Sequence, residues 1–432
     1  MVVLISLQTD SYTVARFISL FSTEPKSDGI KFSYWMNHLH WERGGFNPDA
    51  ECAIQAMGTN SLPYLVEWIQ RPNKSRLGDY SDPLKARIAF GFLGSEAKPA
   101  IPDLIKVIGR FDELSSRSLI WDYPAQALMN IGKDAVPPLA DKLMEMLANT
   151  NRQPETGSNL LTANQTREGY FYGRVFAVLA AMGTNAEAAM PALVAVASSD
   201  LPDYFGDMES ADRYITLAVV GRNHPDIIAP VLVKKFESSP AEREMIARAM
   251  SVFGTNQADV FLPVLVAALS ENITNEWDRI GIGEPLSVIG HSQPDIAVPI
   301  LLTIYTNSSL GGRVHVAGLL AAFGSRARSA VPMFMADSLL ENAPHDNRWR
   351  ISLCLDAKTI APDMPETMAP LLKDLDSSDQ MIRDDTIQCL ESYSIGGGDC
   401  AEVIPKLRQM ETNDPDSNIR SGAAIILRQQ TH

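Results

Sequence analysis

Apolar residues recur along this chain at helical spacing in short runs, and each run stops at the same kind of corner: a Gly, a small polar step, then Pro and a further apolar run. The corner reads Ala56-Met57-Gly58-Thr59-Asn60 before Pro63, Phe92-Leu93-Gly94-Ser95 before Pro102, and Ala181-Met182-Gly183-Thr184-Asn185 before Pro191. Landmark glycines fall at Gly58, Gly94, Gly132, Gly183, Gly221, Gly254, Gly290 and Gly324, at intervals of 36, 38, 51, 38, 33, 36 and 34 residues. Landmark prolines follow in step at Pro63, Pro102, Pro137, Pro191, Pro230, Pro263, Pro299 and Pro332. The pattern predicts a first helix such as Arg174–Met182, stopped at Gly183 where glycine adopts the left-handed conformation without steric cost. A second helix then starts around Pro191, tolerated in a first turn whose N–H lacks a partner, and runs through Ala192–Ala197.

A helix pair every 33 to 39 residues makes an all-α fold, an α-solenoid wound as a right-handed superhelix of about ten pairs, whose core is continuous from repeat to repeat. Two weaker units, Ile351–Leu375 with Pro362 near the expected Gly and Ile382–Met410 with Gly396-Gly397, complete the array. Residues 1–50 read as a lead-in and 51–432 as the solenoid, with a capping helix over Asn418–Gln429. The segment Asn149–Gly173 accounts for the 51-residue interval and is polar enough to predict an exposed loop; Leu201–Asp212 is a shorter acidic one.

The runs Lys98-Pro99-Ala100-Ile101-Pro102-Asp103-Leu104 and Ala188-Ala189-Met190-Pro191-Ala192-Leu193 resemble HEAT repeats, in particular the bacterial HEAT-like repeats of the phycobilisome-lyase type. The resemblance covers the chain from about residue 51 to its end. It implies a scaffold that binds a protein or peptide and is not an enzyme. The alternative implied by the same analogy is a lyase- or isomerase-like enzyme acting on a bound small molecule.

Charge and chemistry narrow the function classes. Against 37 Lys and Arg stand 52 Asp and Glu, a net charge of −15, and the basic residues are scattered. Phosphate neutralisation needs the opposite sign on at least one face, so nucleic acid is not an expected partner. Met1 to Leu20 is apolar but interrupted by Asp10 and Arg16, which predicts neither a membrane span nor a signal peptide and reads as cytoplasmic; whether an N-terminal anchor has been lost stays open. Cys52, Cys354, Cys389 and Cys400 lie in apolar helical contexts and read as buried thiols, with a Cys389–Cys400 disulfide left open. No His-Glu dipeptide, H-E-x-x-H, G-x-S-x-G or P-loop occurs, so no catalytic residue, cofactor or metal is expected. Trp121-Asp122 and Trp277-Asp278 read as helix N-caps with an apolar residue before them.

One surface stands out as a binding candidate. On the second helices, positions +1, +4 and +5 after the proline lie opposite the core face at 100° per residue. In the middle repeats they are small and mostly apolar: Ala192 and Ala195, Val231, Val264 and Ala267, Ile300 and Thr303, Met333 and Ala336. If second helices line the inner surface, these nine residues form a concave groove for a partner helix or peptide; if curvature presses those helices together, the same residues are buried.

Overall fold

A computed structural model describes residues 11–39, 41–42, 45–71, 81–108, 122–150, 160–199, 213–270, 276–340 and 347–430. The chain divides into two compact units, Met1–Lys235 and Phe236–His432.

The first unit opens with α1 (Ser11–Ser19), the hairpin β1 (Lys26–Ser27) and β2 (Ile30–Lys31), α2 (Phe32–Asn37), and the hairpin β3 (Trp41–Glu42) and β4 (Gly45–Phe46). Asp28 and Gly29 turn the first hairpin with φ of 49° and 75°, the signs a two-residue type I′ turn requires. Phe32, fully buried, meets the rings of Tyr64 and Trp68 at 5.8 and 5.9 Å, which seats this segment on the first repeat. The repeats follow as α3 (Pro48–Met57), α4 (Leu62–Ile69), α5 (Asp82–Leu93), α6 (Ile101–Val107), α7 (Tyr123–Ile131), α8 (Val136–Thr150), α9 (Leu160–Met182), α10 (Met190–Ser198), α11 (Arg213–Val220) and α12 (Pro225–Ser238), the last running across the division into the second unit. The second unit continues with α13 (Arg243–Ser251), α14 (Ala258–Ser270), α15 (Glu276–Ile289), α16 (Pro294–Thr306), α17 (Leu310–Ala321), α18 (Val331–Ser338), α19 (Arg348–Ile360), α20 (Ala369–Leu375), α21 (Gln380–Ile395), α22 (Ile404–Asn413) and α23 (Ser417–Gln429). Odd-numbered helices from α3 are the first of each pair and even-numbered ones the second.

At the corner, a 3₁₀ segment joins the two helices of most pairs, as in Gly94–Ala100 between α5 and α6. Gly94 has φ 51° and ψ −125°, outside the left-handed helical region expected from the sequence and in a region only glycine occupies comfortably. Gly58, Gly132, Gly183, Gly254 and Gly324 share its positive φ. Gly221 and Gly290 do not; a Cβ there would meet Ile228 Cγ1 at 2.6 Å and Ala297 Cβ at 2.5 Å, so they permit close packing instead.

The proline rule needs a similar correction. Pro63, Pro102, Pro191 and Pro332 sit in the first turn of their helices, whereas Pro230, Pro263 and Pro299 lie inside α12, α14 and α16. In α12 and α16 a second proline, Pro225 or Pro294, starts the helix one turn earlier. Each internal proline is exposed and removes the bond to the carbonyl four residues back, that of exposed Asp226, Asp259 or Asp295, where water takes its place.

Further expectations are overturned. Residues 160–173, read as exposed loop, belong to the 23-residue α9: no proline lies between Pro154 and the helix end at Met182. Residues 151–159 and 201–212 lie outside the described residues. Asp122 caps α7 by accepting from Ala125 N at 3.0 Å, but Asp278 lies inside α15. All four cysteines are free; Cys354 and Cys400 are buried, Cys389 is half-buried and Cys52 is exposed on α3. Burial pushes the Cys354 and Cys400 thiols up to about 11. By length and composition the stretch Phe171–Ser198 could span a membrane, but Gly183 turns it, and Val175, Val178, Leu179, Leu193 and Val196 are buried.

Arginines near the start of the first helices hold the second unit's other edge. Arg313 Nη1 donates to Asp337 Oδ1 at 2.9 Å and its Nε to Ser308 O at 3.1 Å, tying α17 to the ends of α18 and α16. Arg383 repeats this with Asp414 at 2.8 Å and the carbonyl of Ser377 at 2.9 Å, and Arg350 with Asp374. Burial raises the Asp414 carboxyl, but the Arg383 hydrogen bonds and charge outweigh it and hold the group below its ordinary range; at Asp374 burial prevails over Arg350 and the group is raised. Corner pairs such as Lys98–Asp134 at 3.3 Å and Arg328–Asp363 at 2.6 Å are open to solvent, which screens them. At the glycine-free corner after α19, buried Lys358 does glycine's work by a different route: its Nζ donates to Pro362 O at 2.9 Å and to Glu402.

Gly94→Ala should destabilise the protein by about 1–3 kcal/mol in urea unfolding although nothing lies within 4 Å of the added methyl; a neutral result would show that the backbone conformation is not the constraint. Arg383→Met should cost about 3–5 kcal/mol by stripping Asp414 of its two charge-assisted hydrogen bonds, and adding Asp414→Leu should recover part of it. Equal stabilities for the single and double variants would contradict the clamp.

Candidate binding face on the first helices

Within the second unit, α13 packs on α15, α15 on α17, α17 on α19, α19 on α21 and α21 on α23, whereas successive second helices from α14 to α22 meet at most marginally. Glycines make the close approach possible. Gly281 of α15 lies where a Cβ would meet Glu244 Cγ of α13 at 2.6 Å, Gly312 of α17 faces Glu276 of α15, and Gly422 of α23 faces Ile387 of α21. The first helices are therefore the closely spaced side of this unit. The first unit shows the same close packing of α5, α7, α9 and α11, but α8 and α10 also pack there.

The nine residues of the second-helix stripe differ in exposure. Ala192 is buried; Ala195, Val231, Val264, Ile300 and Met333 are half-buried; Ala267, Thr303 and Ala336 are exposed. Val264, Ala267, Ile300, Thr303, Met333 and Ala336 lie on the wide-spaced side of the second unit.

The closely packed first helices carry a polar lane. Arg248 of α13 reaches Glu244 Oε1 at 3.1 Å and Glu284 Oε2 of α15 at 3.8 Å, and Glu284 Oε1 meets His315 Nε2 of α17 at 2.7 Å. Three helices are thus linked by one chain of exposed polar side chains. Farther along, Arg348 of α19 donates from Nε to Asp385 Oδ1 at 3.0 Å and from Nη2 to Gln388 Oε1 of α21 at 3.1 Å, and Gln388 Nε2 donates to Asp384 Oδ2 at 2.8 Å. The helical spacing of 348, 352 and 356, and of 385, 388 and 392, brings these residues onto one face, but the residue types are ordinary surface types.

Between α19 and α21 the lane deepens into an open cavity of about 470 Å³ lined by Val314, Arg348, Ser352, Leu355, Asp356, Gln388, Cys389, Ser392 and Tyr393. Asp356 is half-buried, and burial pushes its carboxyl up to about 7. Burial also raises the Tyr393 hydroxyl. The sequence reading missed this site because its signal is the absence of a partner for Asp356, which only the packing reveals. Among the described residues no group of three His, Cys, Asp or Glu side chains is placed to hold a metal. His38 stacks on Tyr34 at 4.0 Å, and His40 lies outside the described residues.

No family model matches the chain, and no curated protein matches it in sequence. Solved structures do. A mutant of Kap121p aligns with 98% of this chain and 46% of its own at 14% identity and a TM-score of 0.52. Importin beta in an ammonium sulfate condition aligns at 12% identity and a TM-score of 0.40, and yeast importin-beta (Kap95p) at 14% and 0.39, each over 98% of this chain and 64% of its own. The chain therefore spans between about half and two thirds of these neighbours' length. The first alignment shows the fold: an all-α solenoid of the HEAT-repeat type.

Asp356 supplies a pH test. Because its folded-state value lies above the ordinary carboxylate range, the folded chain keeps a proton the unfolded chain has released, and stability falls as pH rises from about 4 to about 7. Arg348, Cys389 and Tyr393 are the other ionisable groups lining the cavity, and the substitution leaves them in place. Asp356→Asn should leave stability at pH 4 unchanged and raise it at pH 8 by roughly 2 kcal/mol, less than a dry site would give because water screens the carboxyl. An unchanged difference between the two pH values in denaturant titrations would contradict it.

Proposed function

We propose that the chain is a non-catalytic scaffold that binds a protein partner along the polar lane of the second unit's first helices. The observation that carries the reading is the exposed chain Arg248–Glu284–His315, which crosses three helices on the tightly packed side. A row of charges fixed by their neighbours offers a pre-organised surface that loses little side-chain freedom on association. The HEAT-type fold supports the reading, since solenoids present extended inner surfaces to partners. Partner capture with the wild-type chain, quantified by mass spectrometry, should be compared with Glu284→Lys/Ser392→Arg on the lane and Val264→Arg/Ala267→Arg on the second helices. The lane variant should reduce recovery of the same partner by at least about tenfold while the second-helix variant retains it. Loss with the second-helix variant alone would transfer the interface to the small-residue stripe and overturn the proposal.

A further inference from the structure

We infer that the cavity between α19 and α21 binds an alkyl cation, an ammonium or guanidinium on a short apolar stem, with Asp356 as its counter-ion. Among the described residues Asp356 makes no hydrogen bond or ion pair, although it lines the cavity and its charge reaches Tyr305. The one cation in the lining, Arg348, is engaged by Asp385 and Gln388. A carboxylate in such a place is costly without a compensating charge, and a ligand that supplies one gains what the site lacks.

The remaining lining defines the rest of the ligand. Val314, Leu355 and Tyr393 give apolar and aromatic wall, suited to methylene groups and to a cation over a ring. Ser352, Gln388 and Ser392 add neutral hydrogen-bonding groups for the N–H donors that Asp356 does not take. A volume of about 470 Å³ is ample for a stem of several carbons and falls within the range of small-molecule sites. An anion would meet an uncompensated carboxylate, and a metal ion would find too few ligating side chains. The cation arises either as a free small molecule or as a basic side chain presented by a polypeptide. The inference goes beyond the scaffold reading and does not depend on it.

Calorimetric titration of the full chain with butylguanidinium, with its neutral isostere butylurea, and with a blocked five-residue peptide carrying a single central arginine tests the site. Butylguanidinium should bind, butylurea should not, and Asp356→Asn should weaken the cation by at least about tenfold with the fold retained by circular dichroism. Ser352→Leu, which fills the cavity and leaves Asp356 in place, should weaken it similarly. Tighter binding of the peptide than of butylguanidinium would assign the source to a side chain, and the reverse to a free molecule. Glu284→Lys should leave the titration unchanged while disrupting partner capture, so the two proposals fail separately. Equal binding of butylurea, undiminished binding by Asp356→Asn, or no binding of either cation would overturn the inference.

Discussion

The second unit is governed by how closely its first helices approach one another. Gly281, Gly312 and Gly422 each stand where a side chain would collide with the preceding first helix, and second helices have no such arrangement. First helices are thus spaced more closely than second helices in this unit. That spacing aligns Arg248, Glu284 and His315 into one lane and brings α19 and α21 near enough for Arg348 to bridge them over a cavity. Glycine serves two separate purposes here: at the corners it supplies a backbone conformation, and on the first helices it supplies absence of volume.

The two edges of each repeat are held by different physics. The corner edge depends on backbone: a glycine with positive φ, a 3₁₀ segment and a following proline need few side-chain contacts, and the exposed charge pairs there add little. The opposite edge depends on arginine clamps to Asp337, Asp374 and Asp414, where burial makes the pairing matter. Where the corner glycine is missing, after α19, a buried lysine takes over. The fold thus tolerates the loss of one device by substituting another, which explains why the repeat persists through units whose sequence signature has faded.

Much of this architecture was legible in the sequence because backbone constraints leave residue-type signatures. Gly58, Gly94 and Gly183 announced their corners, and α23 begins at Ser417, within one residue of the expected capping helix. The failures are as instructive. Gly221 and Gly290 carry the same letter for a packing reason, and the end of a polar run before Arg174 proved to be helix. Face assignment was the least legible feature, since small residues occur on both helices of a pair and only the packing of neighbours says which side is closely spaced. The Asp356 cavity was invisible for a related reason: one aspartate in a helix has no signature until its neighbours are known to leave it unpaired.

The central claim, that first helices are the closely spaced side of the second unit, is open to a direct distance measurement. Spin labels at positions 248 and 315 span α13 to α17, and labels at 267 and 336 span α14 to α18, each two repeats apart in a background with the native cysteines replaced. Double electron–electron resonance should give a shorter mean distance for the first pair than for the second. An equal or longer distance between positions 248 and 315 would contradict the account.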